Sequence, residues 1–238
     1  MHDLSPGTSG DLPQCSSRSL AACCSDRRKL EEELETRGHL SPLPKEPAAL
    51  ANVIEVAVVD YLIKAAAERQ VAIARRGTER GYPDIEIESE GEFHAVDVKV
   101  ARRARNGLAT QSRITLYTGN TYFAYPDLCW PGMFRAYGDY ASHLTLILLY
   151  TFDESLRSRF RDVEIVVQES WRIGSRKRSS TTREYIGAVQ NIEALRSGAG
   201  DFATEQEFYK YWRGFKFKVG EAVSKQLKKI LRTRKAED

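Results

Sequence analysis

Apolar side chains recur at helical spacing from residue 48 to residue 70, which predicts an amphipathic helix over this segment. The apolar positions are Leu50, Ile54, Ala57, Val58, Tyr61, Leu62 and Ala65. Glu55 is the one acidic residue in the otherwise apolar stretch 53–59. A carboxylate placed there needs a cationic partner or a metal, unless it lies at the helix edge and reaches solvent. The residues alone leave both alternatives open.

The pattern changes from helical spacing to alternation after residue 84. Residues 85–88 alternate apolar and acidic side chains, residues 89–92 form a turn cluster, and residues 93–100 again have the character of a strand. This combination predicts a β-hairpin. If the turn is centred on Glu90 and Gly91, with a loop of two or four residues, Asp84 lies opposite Asp97. A three-residue loop would shift the pairing by one residue and separate the two carboxylates.

The predicted hairpin also brings candidate chemistry together. Like charges placed opposite each other on paired strands are destabilising unless a cation neutralises them, and a divalent metal would do so. Lys99 lies on the same strand face as Asp97, because side chains alternate with period two. Pro83-Asp84 followed by Asp97 and Lys99 therefore has the form of a PD-(D/E)xK nuclease site. The alternative is a Pro-Asp that only begins a strand with a solvated edge.

Further elements follow from the same patterns. Strands are predicted at 114–123, 144–152 and 163–168, and the nearly all-apolar second one is expected inside the sheet. Helices are predicted at 26–36, 204–215 and 216–235; the second has core aromatics and the third is basic and amphipathic. A Pro-rich connector at 40–47 and an exposed Arg-rich loop at 101–110 complete the prediction.

Length and composition limit the architecture. A chain of 238 residues with 42% hydrophobic content is long enough for one substantial α/β core. Residues 26–238 are assigned to a single domain. Residues 1–25, which are rich in Ser, Gly and Pro and show no periodicity, are expected to be disordered. No apolar run suits a membrane span or a signal peptide, so a cytoplasmic protein with no membrane partner is expected.

The net charge and the cysteine content by themselves exclude few classes of function. The formal net charge is only +3, with 36 basic and 33 acidic residues, so the overall charge does not indicate a polyanion-binding protein. The four cysteines, Cys15, Cys23, Cys24 and Cys129, lack the spacing of a zinc site or a disulfide framework and are predicted to be free thiols.

The charge is more informative locally. The segment between Trp171 and Ile186 is basic and rich in hydroxyl groups. Such side chains suit phosphates and base edges, so a loop here could enter a DNA groove. An ordinary flexible hairpin tip is the alternative.

Dispersed sequence blocks extend the motif into a family resemblance. The chain resembles EcoRV-like type II restriction endonucleases from about Gly38 to Phe215. The blocks are Gly38-His-Leu-Ser-Pro-Leu43, the helix with Glu55, Tyr82-Pro-Asp84, Val96-Asp-Val-Lys99, Thr115-Leu116, Trp171, Ile186-Gly187 and Glu207-Phe-Tyr-Lys-Tyr-Trp-Arg213. The resemblance implies a restriction-endonuclease-like α/β (α+β) fold, in which a central mixed β-sheet is flanked by helices.

The resemblance also implies an activity. A homodimer would bind double-stranded DNA and cut both strands within a short palindrome, leaving 5′-phosphate and 3′-hydroxyl ends. The cofactor would be Mg²⁺, with Mn²⁺ as a substitute. A dimerisation subregion is expected near 26–47, with residues 30–35 in place of the family's hairpin. A cognate DNA methyltransferase would protect host DNA without contacting this chain.

Site roles carry over only onto matching positions. Asp84, Asp97 and Lys99 would be catalytic, and Asp84, Asp97 and Glu55 would bind metal. DNA-binding residues are expected in the turn before Pro83 and in the loop from Ser179 to Tyr185. They are Thr78, Arg80, Lys177, Ser179, Ser180, Thr181, Thr182 and Arg183.

The loop from Ser179 to Tyr185 differs from the Gly- and Asn-rich loop of the name-giving enzyme, so its recognition sequence does not transfer to this chain. Two alternatives remain: a DNA-repair or structure-specific nuclease with the same hairpin, and a catalytically inactive DNA-binding relative. The intact Asp84, Asp97 and Lys99 argue against the inactive relative.

Overall fold

A computed structural model describes residues 45–69, 73–78 and 81–237. Several sequence predictions lie outside these ranges. They are the disordered segment 1–25, the helix 26–36, most of the connector 40–47 and of the dimerisation subregion near 26–47, the DNA-contacting Arg80, and Cys15, Cys23 and Cys24. They stay predictions, as does the single-domain assignment. The remaining cysteine, Cys129, is a free and exposed thiol.

The first helix, α1, spans Pro47–Arg69 and confirms the helix predicted at 48–70. Leu50, Ile54, Val58 and Leu62 are almost fully buried and pack against the first face of the main sheet. Helical spacing brings these side chains onto one face, so the helix is held by burial of this apolar stripe.

The main sheet has five strands in the order β1-β2-β3-β5-β6. The strand bounds are β1 Ile73–Arg76, β2 Ile85–Ser89, β3 Glu92–Arg102, β5 Ser142–Phe152 and β6 Phe160–Glu169. β3 and β5 are parallel and the other neighbours are antiparallel. The sheet is therefore mixed, and β5 is an interior strand as its apolar sequence predicts.

The hairpin register agrees with the sequence prediction. Ile85 pairs with Val96 and Ser89 pairs with Glu92. Glu90 and Gly91, with φ values of 55° and 81°, form the two-residue turn. Positive φ at both central residues is the arrangement that suits the twist of a tight hairpin. Continuing this register by one pair places Asp84 opposite Asp97.

The sheet separates two hydrophobic cores. Side chains of Ile85, Ile87, Val96 and Val98 lie on the α1 side, whereas alternate residues point to the opposite side. The second core is aromatic and contains Tyr82, Tyr117, Phe123, Tyr137, Phe208 and Trp212. Asp84 and Asp97 therefore lie on the face that borders the aromatic core.

A smaller three-stranded sheet, in the order β4-β8-β7, contributes to the second core. Its strands are β4 Thr115–Thr118, β7 Gly174–Arg178 and β8 Tyr185–Ala188. β7 and β8 pair as an antiparallel hairpin, so the basic segment between Trp171 and Ile186 forms β7 and the hairpin tip at 179–184.

Three helices follow the smaller sheet: α2 Ile192–Ser197, α3 Glu205–Arg213 and α4 Glu221–Glu237. The side chain of Thr204 caps α3 by accepting a hydrogen bond from Glu207 N at 3.1 Å. Phe208 and Trp212 of α3 are fully buried, which confirms their prediction as core aromatics.

Several predicted boundaries are wrong: β6 begins at Phe160 instead of residue 163, α3 ends at Arg213 instead of residue 215, and three further boundaries differ. The strand predicted at 114–123 ends at Thr118, and Gly119–Phe123 forms an irregular turn with non-helical backbone angles at Thr121. Within it the Tyr122 hydroxyl accepts a hydrogen bond from Thr118 N at 3.1 Å. The loop predicted at 101–110 begins later, because pairing with β5 extends β3 to Arg102. The basic helix begins at Glu221 instead of residue 216, because Phe217 stacks on Trp212.

Candidate active site

The structure brings three of the predicted site residues together at the start of the hairpin. Lys99 Nζ lies 2.8 Å from Asp97 Oδ2 and 4.0 Å from Asp84 Oδ2. Asp84 is held in place because its Oδ2 accepts a hydrogen bond from Val98 N at 2.7 Å. The antiparallel register places the carboxylates of Asp84 and Asp97 opposite each other. Lys99 lies on the same strand face as Asp97 because side chains alternate with period two.

The electrostatics of this cluster are dominated by burial. Asp97 is only 6% exposed, and burial raises the pKa of its carboxyl group well above the ordinary value, with Asp84 adding to the rise and Lys99 opposing it. For Lys99, burial lowers the pKa, but the negative charges of Asp97, Asp84 and Glu55 raise it above its ordinary value. The site therefore places one ammonium group among carboxyl groups whose ionised forms burial disfavours, so a bound cation would stabilise their charged state.

The donor atoms fit a hard divalent cation. The buried Asp97 Oδ2 has its ion pair with Lys99 but no well-directed hydrogen bond within the described part of the chain. The neighbouring Asp84 adds a second carboxylate. Mg²⁺ is commonly held by one or two protein carboxylates and keeps several waters. Asp84 and Asp97 have the chemistry for such a site.

Glu55 is near these residues but does not complete a three-carboxylate cluster. Burial raises the pKa of Glu55, while Lys99 lowers it and Asp84 raises it, so its charge interacts with both residues. Within the described ranges, no group of three or more His, Cys, Asp or Glu residues is arranged to hold a metal. The metal role of Glu55 stays a prediction.

A cleft of about 370 Å³ opens beside Asp84 and Glu55. One wall is α1 and the other is the end of β1 with the turn that follows. The lining residues are Asn52, Glu55, Val56, Val59, Arg76, Gly77, Thr78 and Asp84. The cleft therefore connects the candidate catalytic carboxylates with the predicted DNA-contacting turn.

That turn is closed by backbone hydrogen bonds. Gly77 N donates to Asp84 O at 2.8 Å, and Gly81 N donates to Thr78 O at 3.0 Å. The side chain of Thr78 is exposed, as a DNA-contacting residue requires. Both ends of the turn therefore lie beside the candidate active site.

The other predicted DNA-contacting residues lie in the β7–β8 hairpin. Lys177, Thr181, Thr182 and Arg183 are exposed, and Ser179 and Ser180 are partly buried. Ser180 Oγ accepts hydrogen bonds from the backbone N–H groups of Thr182 and Arg183, both at 3.2 Å. The tip is therefore shaped by its own hydroxyl groups, while Arg183 remains accessible.

The base of this hairpin is anchored to the rest of the fold. Asp201 Oδ2 accepts hydrogen bonds from Ser175 Oγ at 2.9 Å and from Arg176 N at 2.8 Å. Trp212 Nε1 donates to Ser175 O at 3.1 Å. These contacts fix where the exposed tip projects.

Two further groups near the site were not predicted from the sequence. The Tyr82 hydroxyl is hydrogen-bonded to His143 Nδ1 at 2.7 Å, directly before Pro83. Glu86 is 1% exposed and forms a two-point ion pair with Arg135. Glu86 and Arg135 are far apart in the sequence, so their ion pair could not be predicted from a local pattern. The only local signal was an acidic side chain at Glu86, between two apolar residues of the strand.

The mixed sheet and its hairpin, with two carboxylates and a lysine, have the arrangement of the PD-(D/E)xK class. Residues 25–235 match the family model described as restriction endonuclease EcoRV. The chain belongs to this family, which confirms the predicted fold and family. The protein is therefore a nuclease that hydrolyses DNA. A comparison with curated proteins found no significant match.

The comparisons leave the roles of individual residues as predictions. No helix in the described ranges combines the length and apolar character needed to cross a bilayer.

Proposed function

We propose that this chain is a type II site-specific deoxyribonuclease that cuts both strands of duplex DNA within a short palindrome. Cleavage would require Mg²⁺, with Mn²⁺ as a substitute, and would leave 5′-phosphate and 3′-hydroxyl ends. The observation that carries the proposal is the convergence of Asp84, Asp97 and Lys99, with Lys99 Nζ 2.8 and 4.0 Å from the two carboxylates. Membership of the EcoRV family supports the same reaction class.

Each residue has a distinct role in the proposed reaction. Asp84 and Asp97 would hold Mg²⁺ beside the phosphate to be cut, and Glu55 would contribute to a further metal position. When bound, Mg²⁺ supplies positive charge at the phosphate and makes a nearby water more acidic. The Lys99 ammonium would orient the attacking water and stabilise the negative charge that develops on the phosphate.

Sequence recognition is assigned to two surface elements. Thr78 and Arg80 would contact DNA from the turn beside the cleft. The residues proposed for the hairpin are Lys177, Ser179, Ser180, Thr181, Thr182 and Arg183. Hydroxyl and guanidinium groups of this kind bind phosphates and base edges, and the described members have exposed or partly exposed positions.

A homodimer is proposed because a two-fold protein matches a two-fold DNA site and supplies one active centre per strand. The subregion near 26–47 is proposed to contribute to dimerisation. The enzyme would act in the cytoplasm, where a cognate methyltransferase would modify the same sequence without binding this chain.

The test begins with purified protein, Mg²⁺ and phage DNA, and discrete fragments are expected. Lys99→Ala should reduce the cleavage rate by on the order of 100-fold or more, because it removes a charged group aimed at the transition state. The matched control is Arg102→Ala. It removes a positive charge from the opposite face of the same strand and should leave cleavage unchanged. Light scattering should show that both variants keep the wild-type oligomeric state.

The alternatives give different results in the same experiment. A smear, or nicking at DNA junctions, would favour a repair or structure-specific nuclease. DNA binding without cleavage by the wild type would favour an inactive relative. Equal cleavage by wild type and Lys99→Ala would contradict the proposed role of Lys99. Sequencing the cut ends would give the recognition sequence and the position of cleavage.

A further inference from the structure

Residues 132–135 contact the hairpin region on both sides of Asp84. Gly132 lies against the turn that precedes Asp84, and Arg135 is bound to Glu86, which follows Asp84 on β2. The segment is remote in sequence from both contacts. We call residues 132–135 the brace.

Gly132 fits tightly between the two ends of the turn. Its carbonyl oxygen accepts a hydrogen bond from Thr78 Oγ1 at 3.4 Å, and a Cβ at Gly81 would overlap the same oxygen. In the other direction, a Cβ at Gly132 would lie 2.9 Å from Thr78 Oγ1 and 3.2 Å from Gly81 Cα. A side chain at Gly132 would therefore push the Thr78 hydroxyl and the Gly81 backbone away by a few tenths of an ångström.

Arg135 anchors the other end of the brace. Its guanidinium donates to the Glu86 carboxylate through Nε at 2.6 Å and through a terminal nitrogen at 3.2 Å. The guanidinium carbon also lies 3.3 Å from the centroid of the Phe93 ring. The contact with the Phe93 ring and the two hydrogen bonds to Glu86 restrict the guanidinium, so Arg135 attaches the brace to β2.

We propose that the brace fixes the DNA-contacting turn relative to Asp84, and that it thereby determines how strongly the enzyme discriminates its own site from near-matching DNA. The inference rests on the proposed function, since it assigns Thr78 and its neighbours to DNA contact. Gly132 and Arg135 are positioning residues. They act through the turn and β2 and do not themselves touch the reacting phosphate.

The size of the effect follows from the geometry of phosphoryl transfer. A misplacement of about 1 Å between bound substrate and catalytic groups can cost on the order of 100-fold in rate. Cleavage of the correct DNA site requires the contacts of the turn and the position of Asp84 at the same time. A near-matching site has already lost some of its contacts with the protein. Loosening the brace should therefore slow cleavage of the correct site most.

The first test compares Gly132→Ala with Gly107→Ala. Both glycines have positive φ, 90° and 69°, so both substitutions strain the backbone. Only Gly132 has neighbours, because nothing lies within 4 Å of a Cβ at Gly107. Urea unfolding should show a loss of stability in both variants from the positive φ, with a further loss in Gly132→Ala from its close contacts, and single-turnover cleavage then compares the folded variants.

Cleavage is measured on the site mapped from wild-type fragments and on the same site with one base pair changed. Gly132→Ala should lower the rate on the mapped site by roughly tenfold relative to Gly107→Ala, because its close contacts require a shift smaller than the displacement of about 1 Å that costs about 100-fold. The ratio of the two rates should fall by a similar factor, which is within the discrimination of one good base contact. Equal rates and ratios in both variants would overturn the inference.

A second pair keeps the test decisive if Gly132→Ala does not fold. Arg135→Lys keeps the positive charge but loses the two-point contact with Glu86. The control is Arg103→Lys, because Arg103 also pairs with a partly buried carboxylate, Glu164, at 2.6 Å. Arg135→Lys should lose discrimination and Arg103→Lys should keep it; equal behaviour contradicts the brace. Failure of the wild type to cut DNA would instead contradict the proposed function.

Discussion

His143 should make the stability of the fold depend on pH in a direction that follows from its surroundings. Its Nδ1 is hydrogen-bonded to the Tyr82 hydroxyl at 2.7 Å, and its ring stacks on Tyr137 with centroids 3.8 Å apart. Burial lowers the pKa of His143 to about 3, and the positive charge of Arg213 adds to the decrease. The folded protein therefore holds this imidazole in its neutral form.

The sign of the effect follows from the unfolded state. An unfolded histidine takes up a proton below about pH 6.5, whereas folded His143 stays neutral down to about pH 3. Stability from this group is fully present above the unfolded pKa and is lost as the pH falls. At pH 5, which is 1.5 units below the unfolded pKa, the free energy of unfolding is lower by about 2 kcal/mol from this group, at 1.36 kcal/mol per unit. Because the residue keeps some exposed area, this value is an upper limit.

The measurement is urea unfolding at pH 7 and pH 5, followed by circular dichroism, for wild type and His143→Gln. Glutamine cannot titrate, so the pH-dependent loss of unfolding free energy should be smaller in the variant by up to about 2 kcal/mol. His94→Gln is the comparison variant: His94 is buried and burial lowers its pKa, so this variant should remove only the contribution of His94 to the pH-dependent loss while it retains that of His143. An equal loss in wild type and His143→Gln would refute the reasoning.

Three further outcomes are expected. Asp84→Asn should weaken Mg²⁺ binding in calorimetry and reduce cleavage by about 100-fold or more, since it removes a charged oxygen ligand; unchanged Mg²⁺ affinity would exclude Asp84 as a ligand. Arg183→Ala should cost about 1–3 kcal/mol of discrimination at one base position while the melting temperature stays constant, which cleavage of a substituted-site library would show or disprove. Gly91→Ala should lower stability by about 1 kcal/mol because φ is 81°, yet cleavage should persist, since a Cβ there meets no neighbour within 4 Å.

The hairpin shows which part of a site can be predicted from sequence. Alternating side chains specify the strand faces, and the turn centred on Glu90 and Gly91 specifies the register. The register observed at Ile85 and Val96 follows from these local features. Lys99 then falls on the correct face because the period of a strand is two.

The failed boundaries show where local patterns stop being informative. Residues 114–123 carry apolar and β-branched side chains that suit a strand, but the segment bends after Thr118. The bend depends on the hydroxyl of Tyr122 and on the packing of Phe217 against Gly119. Tyr122 lies within the segment, but Phe217 is remote in the sequence, so a local window contains only part of the cause.

The sequence by itself determined the α1 stripe and the strand faces of the hairpin, because each depends on a short-range period. It limited the register to a few loop lengths, and the structure selected the two-residue turn that places Asp84 opposite Asp97. Only the tertiary structure decided the surroundings that give these residues their properties. The burial of Asp97, the brace from Gly132 to Arg135 and the neutral His143 all depend on segments that meet across the sheet. Such contacts are selected by the packing of the whole domain, which a local pattern does not encode.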